Sequence, residues 1–271
     1  MHIDERRLRP LILDALDIAR RAGVRILEVY ETGFEIQQKS DQTPLTSADL
    51  AANELIVAAL SKVEPLLPVL SEESADVPFS ERCQWRSYWL VDPLDGTREF
   101  IKRNGEFSVN IALIERGEPV LGVVYAPALK VAYYAARGFG AWKQRDGQRP
   151  RQIYARNAVP RRNVTVARSN SSPGPEMEAF LEKLGEHQEV AMGAALKSCL
   201  VAEGRADVYA RLGPTSEWDT GAAQCIVEEA GGMIMDTQMR ELKYNTKDSL
   251  LNPHFFVIGD ADHNWANYLK K

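Results

Sequence analysis

Residues 89–100 read WLVDPLDGTREF: an apolar run, two aspartates separated by Pro93 and Leu94, then a Gly-Thr pair. Trp89, Leu90 and Val91 have the pattern of a buried strand. Asp92 and Asp95 at its end admit three readings: turn formers, helix caps, or oxygen ligands of a metal ion. Pro93 restrains Asp92 and sets a turn in which both carboxylates can aim at one spot, with the Leu94 carbonyl as a further oxygen. Gly96 and Thr97 then open a helix, GTREFI, whose free N–H groups suit a phosphate.

Outward from this stretch, LPVLSEES (67–74) repeats the design of a short buried strand running into acids, here Glu72 and Glu73. Upstream, Leu8, Leu11, Ile12, Ala15, Leu16, Ala19 and Ala22 recur at helical spacing, which predicts a helix over ~6–31 ended near Gly33. A polar loop, Lys39 to Thr46, leads into a second helix, ADLAANELIVAALSKV. Downstream come two hairpins, one turning at Arg116-Gly117 and the other at Gly138–Gly140. The basic stretch 144–163 is weakly patterned and marks a junction. Beyond it, strand and helix signals alternate. The reading is an N-terminal α+β part, 1–155, carrying Asp49, Glu72 and the DPLDGT turn, and a C-terminal α/β part, 156–271, carrying Asp219.

Taken singly, the acids have structural readings. Asp49 stands three after Thr46 and Asp219 three after Ser216, both first-turn positions of a helix. Glu72 suits a solvated strand end and Asp95 a turn. Taken together, four carboxylates converging without bases would repel and raise one another's pKa values. A hard divalent cation resolves that conflict, and magnesium leaves positions open for water and phosphate. Two cations about 3.5–4 Å apart could hold a phosphate and an attacking water. His2, His187, His254 and His263 are scattered and no cysteine lies in these motifs, which disfavours zinc.

The formal net charge of −5 over 271 residues argues against a nucleic-acid polymer as partner. Cys83, Cys199 and Cys225 are few and odd in number, and read as reduced thiols. The N-terminal segment lacks a signal-peptide core, and nothing approaches the roughly 20 apolar residues of a membrane span. The expectation is a cytoplasmic protein, monomer or homodimer, with peripheral association at the cytoplasmic face of the inner membrane left open.

SEES, DPLDGT and EWDTGAA occur in the order found in the inositol monophosphatase superfamily, which the chain resembles over nearly its whole length. That group comprises magnesium-dependent, lithium-sensitive phosphomonoesterases on a layered αβαβα sandwich, the sugar phosphatase fold shared with fructose-1,6-bisphosphatase. The longer run WLVDPLDGTREFIKRNGEFSVNIALIERGEPVLGVVYAP, with LGEHQ, LKSCLVAEGRADVYARLGPTSEWDT and LNPHF, resembles the bacterial 3′(2′),5′-bisphosphate nucleotidases of the CysQ type. The resemblance implies that Glu72, Asp92, the Leu94 carbonyl, Asp95 and Asp219 bind two or three Mg²⁺ ions. It implies that Gly96 and Thr97 contact phosphate, and that Thr97 with Asp49 orients and deprotonates the attacking water. Glu72, Leu94, Asp95, Gly96, Thr97, Asp219 and Lys197 form the expected substrate-binding set. The implied substrate is a small nucleotide, adenosine 3′,5′-bisphosphate, cleaved to AMP and phosphate, with 3′-phosphoadenylyl sulfate as a second substrate and a link to sulfate assimilation. The remaining enzyme alternative is an inositol or other sugar-phosphate phosphatase of the same fold.

Two departures stand out. GAALK replaces the GSSLK of many relatives, so Ala194 and Ala195 stand where hydroxyls could donate. In WDTGAAQ the glycine of the relatives' WDxAAG has moved from 223 to 221. Lys197 and Arg211 each have two readings, a partner for a second phosphate or an exposed cation. Trp218 either packs or stacks on adenine. The run Arg149–Arg162 is a solvated surface or a dimer edge, and Lys39–Thr46 a flap over the metals.

Overall fold

A computed structural model of the chain describes residues 5–32, 36–38, 44–157 and 163–269. The helix α1 (Glu5–Thr32) forms where the 3.6-residue period predicts, and all seven of the periodic apolar residues are buried. A two-stranded ribbon, β1 (Ile36–Gln38) and β2 (Pro44–Thr46), leads into α2 (Ser47–Leu60). Gly33 and residues 39–43 of the expected flap lie outside the described residues, as do residues 158–162 of the basic run.

A seven-stranded sheet follows, its strands side by side in chain order: β3 (Val69–Ser71), β4 (Ser87–Asp95), β5 (Ser108–Glu115), β6 (Glu118–Ala126), β7 (Val131–Ala136), β8 (Gly140–Arg145) and β9 (Arg151–Ile153). Two short helices, α3 (Phe79–Arg82) and α4 (Thr97–Ile101), flank β4. All pairings are antiparallel except β3 with β4. The second sheet has the order β11 (His187–Ala191), β10 (Val164–Arg168), β12 (Val208–Arg211), β14 (Phe255–Ile258), β13 (Met233–Asp236). It is mixed: β10 pairs in parallel with β11 and β12, while β14 runs antiparallel to both neighbours.

Helices α6 (Leu196–Ala202) and α7 (Glu217–Glu229) lie between the sheets, and α5 (Pro175–Leu184) covers the far face of the second. The result is five layers, αβαβα. Three buried apolar clusters fill the spaces between them. Along β4, Trp89 and Val91 face α1 and α2, whereas Tyr88 and Leu90 face α7. That double burial explains why the strand reads as a continuous apolar run rather than an alternating one. The passage from one sheet to the other falls between β9 and β10, and α6 and α7 share a buried cluster with strands of both sheets. No helix among the described residues is long and apolar enough to cross a membrane.

The seating of α7 matters most for the site. Gly122 of β6 faces its backbone so closely that a Cβ added there would stand 2.1 Å from the Ala222 carbonyl oxygen. Gly221, the displaced glycine of WDTGAAQ, packs α7 on Leu90 and Ala112. Ala223 stands where relatives carry glycine, and the Oε1 of the next residue, Gln224, accepts from Tyr244 Oη at 2.7 Å. Gly122→Ala must push α7 off the sheet and is expected to destabilise the protein by about 2–3 kcal/mol, the usual cost of overpacking. Urea unfolding of the two proteins checks this.

Candidate active site and metal centre

The carboxylates are placed by local backbone rules. Strands β3 and β4 are parallel with Ser71 opposite Val91, so Glu72 and Asp92 emerge side by side at their C-terminal ends. Between Asp92 and Asp95 the β4–β5 register slips: Asp92 faces Asn110 and Asp95 faces Ser108, three steps on one strand against two on the other. The sequence predicts a turn here; the structure has a β-bulge, with Pro93 at a position where no ladder donor is needed. Gly96 follows at φ +89°, a left-handed conformation that glycine adopts without strain. The helix α4 that it opens is only five residues long.

Asp49 and Asp219 are held by two copies of one device. Each is the third residue of a helix whose N-cap, Thr46 or Ser216, forms a capping box with it. The N-cap backbone N–H donates to Oδ2 at 2.8 Å in both. Thr46 Oγ1 also donates to Asp49 Oδ2, at 2.6 Å. Asp95 Oδ2 accepts from Asn110 Nδ2 at 3.1 Å and from the Ala195 N–H at 2.6 Å. Asp92 Oδ1 accepts from the Leu94 N–H at 3.0 Å. One oxygen of each aspartate is thus tied to an N–H, which orients the other.

Asp92, Asp95 and Asp219 offer oxygens that all lie within 4.8 Å of one another. Among the described residues no lysine or arginine forms an ion pair with any of the three. Burial raises the Asp92 carboxyl well above the usual range, and the charges of Glu72, Asp95, Asp219 and Asp49 raise it further. Asp219 is pushed up to about 7, by burial first and then by Asp95. Asp95 is also raised by burial, although Lys197 and the bonds from Asn110 and Ala195 oppose the shift. Five carboxylates therefore share one field, and the donor set is oxygen alone, the chemistry of a hard divalent cation. The residues present fit such an ion.

Thr97 Oγ1 donates to Asp49 Oδ1 at 3.3 Å and lies 3.4 Å from the Leu94 carbonyl oxygen. The cap and the catalytic reading of Asp49 are geometrically compatible, because different oxygens serve them. The GAALK segment docks on this turn: Gly193 packs on the Glu106 backbone, and a Cβ at Gly96 would stand 3.3 Å from that of Ala194. Larger residues at 193 and 194 would lift the Ala195 N–H from Asp95.

Lys197 is not an exposed helical lysine. It is 8% exposed, its Nζ donates to the Ala194 carbonyl at 2.7 Å, and it lies over the Tyr209 ring at 5.3 Å. Arg211 is half-buried, and Trp218 packs partly buried against the cluster between the sheets. Sequence reasoning missed Asn110 and Ser108, whose hydroxyl donates to Asn110 Oδ1 at 2.9 Å. Their signal was present: two polar residues on a strand buried at every position. The pairs Thr46–Asp49 and Ser216–Asp219, which the spacing marked as helix starts, are both capping boxes here.

The sequence profile of the inositol monophosphatase family matches residues 8–265. The 3′(2′),5′-bisphosphate nucleotidase CysQ of Salmonella typhimurium is 52% identical over 243 residues, 89% of this chain and 96% of that protein. Among solved structures, CysQ of Bacteroides thetaiotaomicron superposes with a TM-score of 0.80 at 39% identity, covering 92% of this chain and 97% of that one. An IMPase of Thermotoga maritima does so at 0.78 and 25% identity, over 94% of each chain.

Proposed function

The chain belongs to the inositol monophosphatase family, whose members depend on metal ions, and from that premise we propose that it is a 3′(2′),5′-bisphosphate nucleotidase. The substrate in this reading is adenosine 3′,5′-bisphosphate, and the products are AMP and phosphate. The observation that supports it most is the 52% identity to a curated nucleotidase over nearly the full length of both chains, with every carboxylate of the cluster in place.

Glu72, Asp92, the Leu94 carbonyl, Asp95 and Asp219 would hold the cations, Mg²⁺ in this reading and two or three in number. When bound, the ions supply positive charge opposite the phosphate oxygens and the leaving oxygen. The chain's own residues do the rest. The N–H groups of Gly96 and Thr97 face the transferred phosphate. Thr97 Oγ1 and Asp49 Oδ1 position a water in line with the scissile P–O bond. Asp49 takes its proton, directly or through Thr97, as the oxygen–phosphorus bond forms. Oδ2 of Asp49 already holds two hydrogen bonds, so Oδ1 is the basic atom. The bond from phosphorus to the 3′-oxygen breaks, its electron pair stays on that oxygen, and a solvent water protonates it. Lys197, beside Asp95, contacts the substrate. In a cytoplasmic setting the reaction removes a by-product of sulfate assimilation, and 3′-phosphoadenylyl sulfate is a second substrate.

Phosphate release by the purified protein in Mg²⁺ tests the reading. Adenosine 3′,5′-bisphosphate is expected to be cleaved with a much higher kcat/KM than inositol 1-phosphate. A clear preference for the inositol ester would move the assignment to an inositol or sugar-phosphate phosphatase.

A further inference from the structure

The three clustered aspartates are not tied down alike. Asp92 Oδ1 accepts one hydrogen bond, from the Leu94 N–H, and Asp219 Oδ2 accepts one, from the Ser216 N–H. Asp95 Oδ2 accepts two, from Asn110 Nδ2 at 3.1 Å and from the Ala195 N–H at 2.6 Å. A carboxylate oxygen has about two lone-pair sites, so the protein itself fills both at Oδ2. Asp95 has only Oδ1 left to offer a cation.

The donor Asn110 is itself held in place. It is buried on β5, two residues from the equally buried Ser108, on the face that carries Ala112 and Ile114 toward α7. A polar side chain at such a position costs free energy unless its groups are paired. Ser108 Oγ donates to Asn110 Oδ1 at 2.9 Å, which turns Nδ2 toward Asp95. The opposite amide orientation would set acceptor against acceptor at Asp95. The bulge after Asp92 places Asp95 opposite Ser108 in the ladder and so brings its carboxylate within reach of Asn110.

We propose that Asn110, oriented by Ser108, is a positioning residue that keeps Asp95 a one-oxygen ligand and thereby tilts the centre toward magnesium over calcium. Magnesium demands a near-ideal octahedron of oxygens, whereas calcium takes about six to eight and accepts both oxygens of one carboxylate. A carboxylate with one oxygen sealed serves the first ion and denies the second a ligand. Partners that orient a ligand from behind tune a metal site in this way. The inference rests on the reading of the cluster as a cation site, and not on the choice of substrate.

The experiment titrates Mg²⁺ and, separately, Ca²⁺ into the EDTA-stripped, substrate-free protein at pH 8 by calorimetry, in the wild type, Asn110→Ala and Ser108→Ala. The readout is the ratio of the two dissociation constants, because a change that merely loosens the fold weakens both ions alike. Asn110→Ala reopens a lone-pair site on Oδ2. Its magnesium Kd is expected to rise about 10-fold, the usual cost of losing an orienting partner. Its calcium Kd is expected to stay level or fall, so the ratio moves toward calcium by about 10-fold or more. Ser108→Ala is the smaller change and serves if the first variant fails to fold. It frees the amide to turn and should move the ratio the same way by about 3-fold, the worth of one neutral hydrogen bond. Losses shared equally by the two ions, or a ratio unchanged in both variants, overturn the role of Asn110 alone. A wild type that binds neither ion overturns the reading of the cluster and this inference with it.

Discussion

Asp219→Asn is expected to fold normally and to lose phosphatase turnover by about 10³-fold or more. The asparagine carbonyl can still accept the Ser216 N–H that Asp219 Oδ2 accepts now, so the start of α7 stays capped. What is lost is one negative charge from a set of oxygens within 4.8 Å of one another. Metal ions supply several kcal/mol of transition-state stabilisation, and about 4 kcal/mol corresponds to a factor of 10³. Asp92→Asn should behave alike, since an amide oxygen can replace Oδ1 as acceptor for the Leu94 N–H. Asp219→Ala removes cap and charge together and should cost a further ~1 kcal/mol of stability. Phosphate release over a magnesium titration, beside thermal melts of each variant, separates the effects. Undiminished magnesium-dependent turnover in both asparagine variants would falsify the assignment of the cluster.

How much of this was legible depended on the range of the interaction. Asp49 and Asp219 were placed by capping boxes, which are local, and the spacing T-x-x-D and S-x-x-D marked them in the chain. The meeting of Glu72 and Asp92 was implied by two similar strand ends but needed the parallel pairing of β3 and β4. The bulge between Asp92 and Asp95 belongs to the β4–β5 register and exists only once β5 is in place. Asn110 illustrates the limit. Its polarity on a buried strand was visible, yet its partner lies on a neighbouring strand. Lys197 was ambiguous for the same reason, because only the seating of α6 on Tyr209 decides between an exposed and a buried lysine. The second sheet read as strand–helix alternation, and the antiparallel insertion of β14 between β12 and β13 breaks that pattern at long range.

The same cluster predicts an inverted pH dependence of stability for the metal-free protein. Asp219 titrates at about 7 when folded, raised by burial and Asp95, against about 3.9 in an unfolded chain. Between those values the folded state holds a proton that the unfolded state has released. Stability then falls as pH rises through the window and levels above it. Asp92 and Asp95 shift in the same direction, as does Glu217, pushed by burial to about 7. Glu118, held low chiefly by its bond to Lys243, is already ionised in both states by pH 5.5 and adds no slope. Asp219 alone accounts for a loss on the order of 2 kcal/mol between pH 5.5 and 8, or about 4–8 °C in melting temperature for a chain of this size, and the other raised carboxyls add to it. Magnesium reverses it: the ion binds the ionised cluster, and at a hundredfold excess over Kd it restores about 2.7 kcal/mol. Stabilisation by magnesium should therefore be large at pH 8, small at pH 5.5, and weakened in Asp219→Asn. Melting curves in EDTA and in Mg²⁺ across this range decide the matter. A metal-free melting temperature that stays level or climbs with pH would show that the carboxylates do not share one buried field.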